Sequence, residues 1–291
     1  LISYTSFSHA SSPVTHETMI VTANRFEQKL DSTTAAVEVI SKQEIEAIQA
    51  KNVLDVLRRL PGIQASSNGG FGQSQDFFIR GTNSNHVLFL IDGVRFGSAT
   101  TGTAAISAIP LVGIERIEYL RGSRAAVYGS DAVGGVINII TDNSRSESKV
   151  AGSVGSDQFR QAKAFTAGDV NQDLHASLGY EFLSTDGYSV LDATGSEDDD
   201  GYISRNLTAN AQYDLSDHWQ ANVLAMGHTG FVEYDNIYGG DDSNDEQLYN
   251  IASHLTYRDS VMTSRFTAAL NQDSSTYTGS GDVFQTDRQN V

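Results

Sequence analysis

Several residue types and patterns are missing from this 291-residue chain, and each absence excludes a class of protein. Cysteine is absent, which excludes a disulfide framework, a zinc–thiolate site and a cysteine nucleophile. No run of about 18 apolar residues occurs, so a membrane-spanning helix is excluded. A membrane protein built from β-strands stays possible, because such strands alternate polar and apolar residues and keep the mean hydropathy low.

Basic residues are scarce, above all in the second half of the chain. The formal net charge is −17; residues 144–291 hold 23 Asp and Glu against 8 Lys and Arg, whereas residues 24–143 hold 12 against 11. A chain this acidic cannot neutralise phosphates, so nucleic acid is excluded as a partner. The change in charge balance predicts a boundary near residue 144.

Catalytic motifs are also missing. The histidines have no metal-ligand spacing, no Ser–His–Asp order appears, and the glycine-rich stretch 69–72 is not flanked by the strand and helix of a nucleotide site. The sequence therefore predicts that the protein is not an enzyme.

Residues 1–35 are interpreted as the remnant of an export signal followed by a mobile leader. Ser8-His9-Ala10 has the small-x-small pattern of a signal-peptidase site, although a disordered terminus explains it too. The polar leader contains one β-prone island, formed by Glu17, Thr18, Met19, Ile20, Val21, Thr22 and Ala23. The island either adds as a strand to the sheet edge of a partner or belongs to the following domain.

Residues 36–143 have the pattern of a compact α/β domain. A strand is expected at 36–40, followed by a helix that starts with a capping box, Ser41 with Glu44, and reaches Gln49. A second helix is predicted from Val53 to Leu60. Apolar runs predict buried strands at the positions 77–79, 87–91 and 133–140, and Asp92-Gly93 predicts a hairpin turn.

Residues 144–291 change to polar–apolar alternation, which is clear in the segments around 174–182, 207–215 and 251–257 and less regular in the others. About eight strands are predicted, at 149–156, 159–168, 174–182, 207–215, 217–230, 251–257, 262–275 and 284–291. Short turns alternate with long polar loops at 185–202 and 231–246, as in a transmembrane barrel, although a soluble sandwich also alternates. Eight strands close too narrowly to hold a domain of about 110 residues, so a wider barrel is expected, of which the chain carries the opening strands.

Five ordered motifs resemble the plug of TonB-dependent outer-membrane receptors. They are IRG at 79–81, LIDGV at 90–94, IERIE at 114–118, RGS at 121–123 and AVYGSDAVGGVINIIT at 126–141. The island ETMIVTA resembles the TonB box. Within the family, VTANRFEQ at 21–28 and NVLDVLRRLPGI at 52–63 are similar to vitamin B12 receptors, while the plug motifs are shared with ferric-siderophore receptors.

The resemblance implies a fold and a function. The fold is an α+β plug inside a transmembrane antiparallel β-barrel of the 22-stranded class, divided into a leader with TonB box (1–35), plug (36–143) and barrel strands (144–291). The function is import of cobalamin across the outer membrane of a Gram-negative bacterium, energised by TonB, by a monomer surrounded by lipid. A ferric-siderophore receptor is the alternative, and a soluble calcium-binding β-protein is a remote one.

Two acidic stretches, 186–200 and 233–246, contain no Lys or Arg. Carboxylate oxygens are ligands that suit Ca²⁺, so the stretches are candidates for a Ca²⁺ site. The alternative is that they are solvated acidic loops with no ligand. An EF-hand is rejected, because Ser196 and Leu207 occupy its first and last ligand positions. The resemblance implies a Ca²⁺ site with the ligands Asp198, Asp200, Tyr234 (backbone oxygen), Asp235 and Asp245, or Asp242 in place of the last. Ser189 stands where the family has an aspartate.

The resemblance also implies a substrate site on outward plug loops. The candidate residues are Ser74, Asp76, Asn83, Thr101 and Gly102, of which Asn83 matches the family residue. For the others, ordinary loop composition is an equal explanation. Ion pairs within the plug or with the barrel are expected for Arg80, Arg116 and Arg121 with Glu115 and Glu118.

Overall fold

The structure is a computed structural model that describes residues 20–21, 28–29, 36–79, 81–96, 106–141, 146–189, 199–235, 241–279 and 282–290. The N-terminal elements are β1 (Ile20–Val21), β2 (Gln28–Lys29), β3 (Val37–Ser41), α1 (Lys42–Ile48), α2 (Val53–Leu57), β4 (Ile63–Ser67), β5 (Gln75–Ile79), β6 (Val87–Ile91), β7 (Val94–Arg95), β8 (Ile114–Arg121), α3 (Ala125–Tyr128) and β9 (Gly135–Thr141). Short 3₁₀ helices lie at Ser84–His86 and Ile106–Ala108.

The α/β domain, hereafter the plug, is built on a five-stranded sheet with the order β3-β8-β9-β6-β7. All five residues of β6 are buried, and β6 runs parallel to β9. The predicted Asp92-Gly93 turn is confirmed: both residues have positive φ, 48° and 82°, as a tight hairpin between β6 and β7 requires. Gly135 also has a steric role, because a Cβ there would lie 2.8 Å from the carbonyl oxygen of Leu120.

The helices begin as predicted, but the second helix is shorter. Ser41 caps α1 in a complete capping box with Glu44, and Gln49 ends the helix in the left-handed conformation. Helix α2 ends at Leu57 rather than Leu60, because the amides of Arg59 and Leu60 bond three residues back and tighten the chain into turns. Leu60 stays buried beyond the end of the helix. The apolar pattern therefore predicted its burial correctly but overestimated the length of the helix.

Strands β4 and β5 form a separate two-stranded hairpin rather than joining the main sheet. Phe77 and Ile79 of β5 are fully buried in the plug core, whereas Phe78, predicted to be buried with them, is only half-buried. In the leader, β1 pairs with β2, so Ile20–Val21 contacts a segment of its own chain. The rest of the predicted TonB box lies outside the described residues.

The C-terminal region is one antiparallel sheet of eight sequential strands, hereafter the wall. The strands are β10 (Glu147–Val154), β11 (Arg160–Asp169), β12 (Leu174–Thr185), β13 (Tyr202–Asp214), β14 (Trp219–Asp235), β15 (Asp241–Arg258), β16 (Thr263–Gly279) and β17 (Asp282–Asn290). The prediction of eight strands is confirmed. The predicted loop at 231–246 is wrong for most of its length, because β14 and β15 stay paired to Asp235 and Asp241.

The reason for that error is the composition of the strand ends. Val232 and Tyr234 keep alternating with Glu233 and Asp235, so the backbone can pair while the carboxylates take one face. Acidic composition suggested a loop, whereas the two-residue period indicated a strand, and the period was the correct signal.

The outward face of the wall exposes apolar side chains, whereas its inward face carries many polar ones. Leu178, Leu207 and Ile251 are 50%, 51% and 50% exposed, and the alternating, buried positions include both polar and apolar residues. The buried polar residues include Gln161, Glu181, Ser204, Asn206, Thr208, Asn210, His228, Asn250, His254 and Thr256. A soluble sandwich has the opposite arrangement, so the pattern favours a wall that faces lipid.

The plug covers the polar face of the wall. Leu224, Met226 and Leu248 of the wall belong to the same core as Phe77 and Ile106 of the plug. No helix in the described part of the chain is both long and apolar enough to cross a membrane.

Candidate functional site

The two ends of the wall differ. One end has the short turns 170–173, 215–218 and 259–262, and is called the short-turn end. The opposite end carries the connections of 155–159, 186–201, 236–240 and 280–281, and is called the loop end after 186–201, the longest of them. In transmembrane barrels the longer loops lie outside the cell and the short turns face the periplasm. By this criterion the loop end corresponds to the extracellular end of such a barrel.

At the loop end, three residues on consecutive strands form an inward-facing row, hereafter the rim row: Asp200, Tyr234 and Asp242. Tyr234 is the register partner of Asp242, and the amide of Glu233 donates to the carbonyl of Gly201 at 2.9 Å, which sets Asp200 beside Tyr234. Both aspartates are buried, with 5% and 3% exposure.

A second tyrosine orders one end of the rim row. The hydroxyl of Tyr277 donates to Oδ2 of Asp242 at 2.6 Å. The Tyr277 ring also stacks near that of Tyr234, with centroids 6.1 Å apart and an interplanar angle of 30°. Carboxylates and tyrosines therefore alternate across the four strands, in the order Asp200, Tyr234, Asp242 and Tyr277.

The remaining predicted Ca²⁺ ligands are placed differently. Oδ2 of Asp235 accepts a hydrogen bond of 3.0 Å from Oγ of Ser189, the residue that replaces an expected aspartate. Asp245 lies three residues beyond Asp242, so its exposed side chain is on the opposite face and is not brought to the row. Asp198 lies outside the described residues. Within the described ranges, no three carboxylate or imidazole groups gather closely enough to hold a metal ion.

The tip of the β4–β5 hairpin reaches the rim row. Nε2 of Gln73 donates to the carbonyl of Glu233 at 2.7 Å, next to Tyr234. The ring of Phe71 stacks on Phe159 of the wall, with centroids 5.3 Å apart. Gly72 between them has φ +77° and packs on the ring of Tyr202, so a side chain there would meet both backbone strain and a clash.

Three predicted substrate residues lie on this hairpin and the turn after it. Ser74 and Asp76 are exposed, and Oγ of Ser84 donates to Oδ1 of Asp76 at 3.2 Å. Asn83 directly precedes Ser84, is exposed, and makes no capping bond with its side chain. The structure thus brings Asp76 and the segment carrying Asn83 together, while Thr101 and Gly102 lie outside the described residues.

A cavity of about 270 Å³ lies between the hairpin and the wall. Its lining includes Lys51, Phe71, Gln75, Asp157, Phe159 and Tyr188. The aromatic residues of this cavity were not predicted from the sequence. Phe71 and Phe159 are separated by most of the plug sequence, and they meet only where the hairpin packs against the wall. The one local signal was Phe71 inside a glycine cluster, where an aromatic ring on a short polar loop indicates a contact.

The predicted charge pairs of the plug are internal. Nη2 of Arg116 lies 2.8 Å from Oε1 of the fully buried Glu118. Nη2 of Arg121 lies 2.9 Å from Oε1 of Glu38, which was not among the predicted partners. Arg80 lies outside the described residues.

The comparison with protein families matches residues 29–136 to the TonB-dependent Receptor Plug Domain. The chain is 44% identical over 267 residues to the vitamin B12 transporter BtuB of Photobacterium profundum, which covers 91% of this chain and 44% of that protein. It is 42% identical to BtuB of Vibrio cholerae over 247 residues, covering 82% of this chain and 40% of that protein. The chain spans less than half the length of these relatives.

Solved structures resemble the fold at lower identity. The ferric-catecholate import receptor Fiu of E. coli superposes with a TM-score of 0.69 at 18% identity, over 90% of this chain and 45% of that chain. The siderophore receptor PiuA of Acinetobacter baumannii gives a TM-score of 0.68 at 20% identity, over 88% and 38%. These likenesses concern the fold alone: a plug against the strands of a barrel. The plug, the eight-stranded wall and the relatives together show that the chain belongs to the TonB-dependent receptor family of Gram-negative outer-membrane proteins.

Proposed function

We propose that the protein imports vitamin B12 across the outer membrane in a TonB-dependent reaction. The observation that carries the proposal is the 44% identity to a vitamin B12 transporter over 91% of this chain. The structural neighbours, at 15–23% identity, include ferric-siderophore receptors. The activity belongs to the full-length protein.

The substrate site of this proposal is the plug surface at the loop end. Ser74, Asp76 and Asn83 present hydroxyl, carboxylate and amide groups, which suit a ligand with many amide side chains. Thr101 and Gly102 complete the proposed set. The hydrogen bond from Gln73 to the strand of Tyr234 links this surface to the rim row, so the two adjoin each other at the loop end.

The binding experiment measures cyanocobalamin affinity of the full-length protein in detergent by isothermal titration, with a ferric catecholate as the second ligand. Saturable cobalamin binding that weakens at least tenfold in Asn83→Ala is expected. Asp217→Ala, at the short-turn end, is the matched control. Binding of the iron chelate without cobalamin would instead establish the siderophore alternative.

Energy coupling is proposed to use residues 17–23 as a strand that adds to TonB. Substrate on the outer surface would favour the plug state in which this segment is available, which is a coupling between two sites. Deletion of 17–23 should leave cobalamin affinity unchanged and abolish uptake by cells. Continued uptake by the deletion variant would reject this mechanism.

A Ca²⁺ ion is proposed to bridge the two acidic stretches at the rim row. The support is the donor set: Asp200 and Asp242 are buried carboxylates flanking Tyr234, and neither 185–202 nor 231–246 contains a Lys or Arg. Asp235 is kept in the proposed set as the neighbour of Tyr234 that accepts from Ser189. Such oxygen-only surroundings fit a hard cation, with Asp198 and the Tyr234 backbone oxygen as further ligands. Asp242 is preferred to Asp245 as the ligand from β15, because it faces inward.

Ca²⁺ binding is tested by titrating the full-length protein with Ca²⁺ and measuring the midpoint temperature of thermal unfolding, with and without a chelator. Asp200→Asn and Asp242→Asn should each reduce the calcium-dependent stabilisation, whereas Asp217→Asn should retain it. If Asp245→Asn removes it and Asp242→Asn does not, the proposed ligand set is incorrect.

A further inference from the structure

Basic side chains on the wall are few, and most of those described point toward the plug or the short-turn end. Lys163 lies 3.8 Å from the buried Glu181, and Arg265 lines the space between wall and plug. Arg258 lies at the short-turn end. Two arginines differ: Arg160 on β11 and Arg205 on β13 are exposed on the outward face.

Both outward arginines lie near the loop-end edge of the apolar band, where Ile203 is the next outward residue of β13 beyond Arg205. Arg205 is the register partner of Phe182, the last apolar residue of the outward row on β12. Beyond Arg205 toward the short turns, the outward face of β13 continues with Leu207, which is 51% exposed. Arg160 pairs with Ser184, one outward position above Phe182, so the two arginines frame this corner of the band.

The contacts of both guanidinium groups with described residues are made to neutral side chains rather than to carboxylates. The Arg205 guanidinium carbon lies 5.7 Å from the centroid of the Phe182 ring. Arg160 donates from Nη2 to Oε1 of Gln158 at 3.2 Å. Among the described residues, neither arginine forms an ion pair, although the wall region carries 23 acidic residues. The two strands are roughly 10 Å apart, within reach of two arginine side chains converging on one group.

We propose that Arg160 and Arg205, the latter held over the ring of Phe182, bind the phosphate headgroup of a lipid in the outer leaflet. The planar guanidinium groups match phosphate geometry, and their charge attracts an anionic headgroup. The acyl chains lie along the adjacent apolar surface, which includes Leu178, Tyr180 and Leu207. Charge complementarity selects the ligand, because Arg160 and Arg205 are cations on the outward face of an acidic wall, beside an exposed apolar surface suited to hydrocarbon.

The inference rests on the lipid-facing position of the wall and is independent of the imported substrate. Loss of lipid binding should leave cobalamin affinity and uptake unchanged. If the protein does not import cobalamin, the expected binding of the lipid by Arg160 and Arg205 is unchanged.

The test is native mass spectrometry of the full-length protein in detergent, titrated with phosphatidic acid and, separately, with diacylglycerol of the same acyl chains. Specific binding of phosphatidic acid is expected, with roughly tenfold weaker apparent affinity in the double variant Arg160→Gln/Arg205→Gln. Arg205→Lys should give an intermediate loss, because it keeps the charge and removes the planar fork. Arg258→Gln, the same change at the other end of the wall, should bind normally.

Three results would overturn the proposal. They are unchanged binding by the double variant, an equal loss in Arg258→Gln, and full competition by inorganic phosphate at millimolar concentration. The last would identify an anion site that needs no lipid. Heat-modifiable migration of each variant in gels verifies that the barrel is folded before affinities are compared.

Discussion

Asp92 and Thr141 are joined by two hydrogen bonds: the Thr141 amide donates to Oδ1 at 3.0 Å, and its hydroxyl donates to Oδ2 at 2.6 Å. Asp92 forms the turn after β6, and Thr141 ends the neighbouring β9. The same Thr141 oxygen accepts a hydrogen bond of 3.0 Å from Nδ2 of Asn210 in the wall. A turn of the plug is thereby connected to the wall through one threonine.

This arrangement predicts a pH dependence of plug stability. Burial raises the pKa of Asp92 from 3.8 to about 6, against the opposing effect of the Thr141 hydrogen bonds. Because the folded-state pKa is the higher one, the stability contributed by proton binding is fully present below pH 3.8 and is lost as pH rises through about 6. The loss amounts to about 3 kcal/mol, since each pKa unit corresponds to about 1.4 kcal/mol.

The measurement is the free energy of unfolding of the plug in the full-length protein between pH 4 and pH 8. Asp92→Asn should flatten the profile in this window, because its amide does not titrate. Asp217→Asn, on an exposed turn, should keep the wild-type slope. Identical slopes in wild type and Asp92→Asn would show that another group titrates.

Gly72→Ala is predicted to loosen the hairpin from the wall. Gly72 and Gly81 share almost the same φ, 77° and 82°, but only Gly72 has a neighbour, the Tyr202 ring, where a Cβ would lie. Gly81→Ala should cost about 1 kcal/mol of backbone strain, and Gly72→Ala a further 1–3 kcal/mol or so from overpacking. Chemical denaturation compares the two, and equal costs would mean that the hairpin simply shifts away from Tyr202.

The two ion pairs between α1 and β10 should differ in strength. Nζ of Lys149 lies 2.6 Å from Oε1 of Glu46, and both side chains are 51% exposed. The side chains of Lys42 and Glu147, which form the other pair, are only 12% and 21% exposed. Lys149→Gln should therefore cost less than about 1 kcal/mol, and Lys42→Gln about 2 kcal/mol. The double variant Lys42→Gln/Glu147→Gln should recover part of that loss in a double-mutant cycle. An additive double variant would argue against the pairing.

An arginine on the outward face should be tolerated only beyond the apolar band. Ile251→Arg introduces charge into the band and should cost roughly 2–4 kcal/mol in lipid vesicles, whereas Gln247→Arg, four residues nearer the loop end on the same face, should cost about 1 kcal/mol or less. Refolding yield against urea concentration in vesicles measures both. Equal yields would place residue 251 outside the membrane.

Much of the fold was accessible from the sequence, because each element has a local cause. The Ser41 capping box, the Asp92-Gly93 turn and the two-residue period of the wall act within a few residues, and all are found in the structure. The ends of β14 and β15 were missed, because acidic composition was given more weight than alternation.

The candidate site was less accessible, because its contacts join distant segments. The stacking of Phe71 on Phe159 and the hydrogen bond from Gln73 to Glu233 depend on how the plug sits against the wall. The choice between Asp242 and Asp245 depends on strand register, since one residue more or less reverses the face. Sequence spacing alone does not determine any of these.

The β4–β5 hairpin pairs with no strand of the five-stranded sheet, yet Gln73 at its tip is bonded to the wall beside Tyr234. The tip of the hairpin is therefore held by the wall, while its base, at Phe77 and Ile79, is buried in the core that the helices and the larger sheet share. Any shift of the wall at Tyr234 would reach the plug core along this one short hairpin, without first passing through the larger sheet.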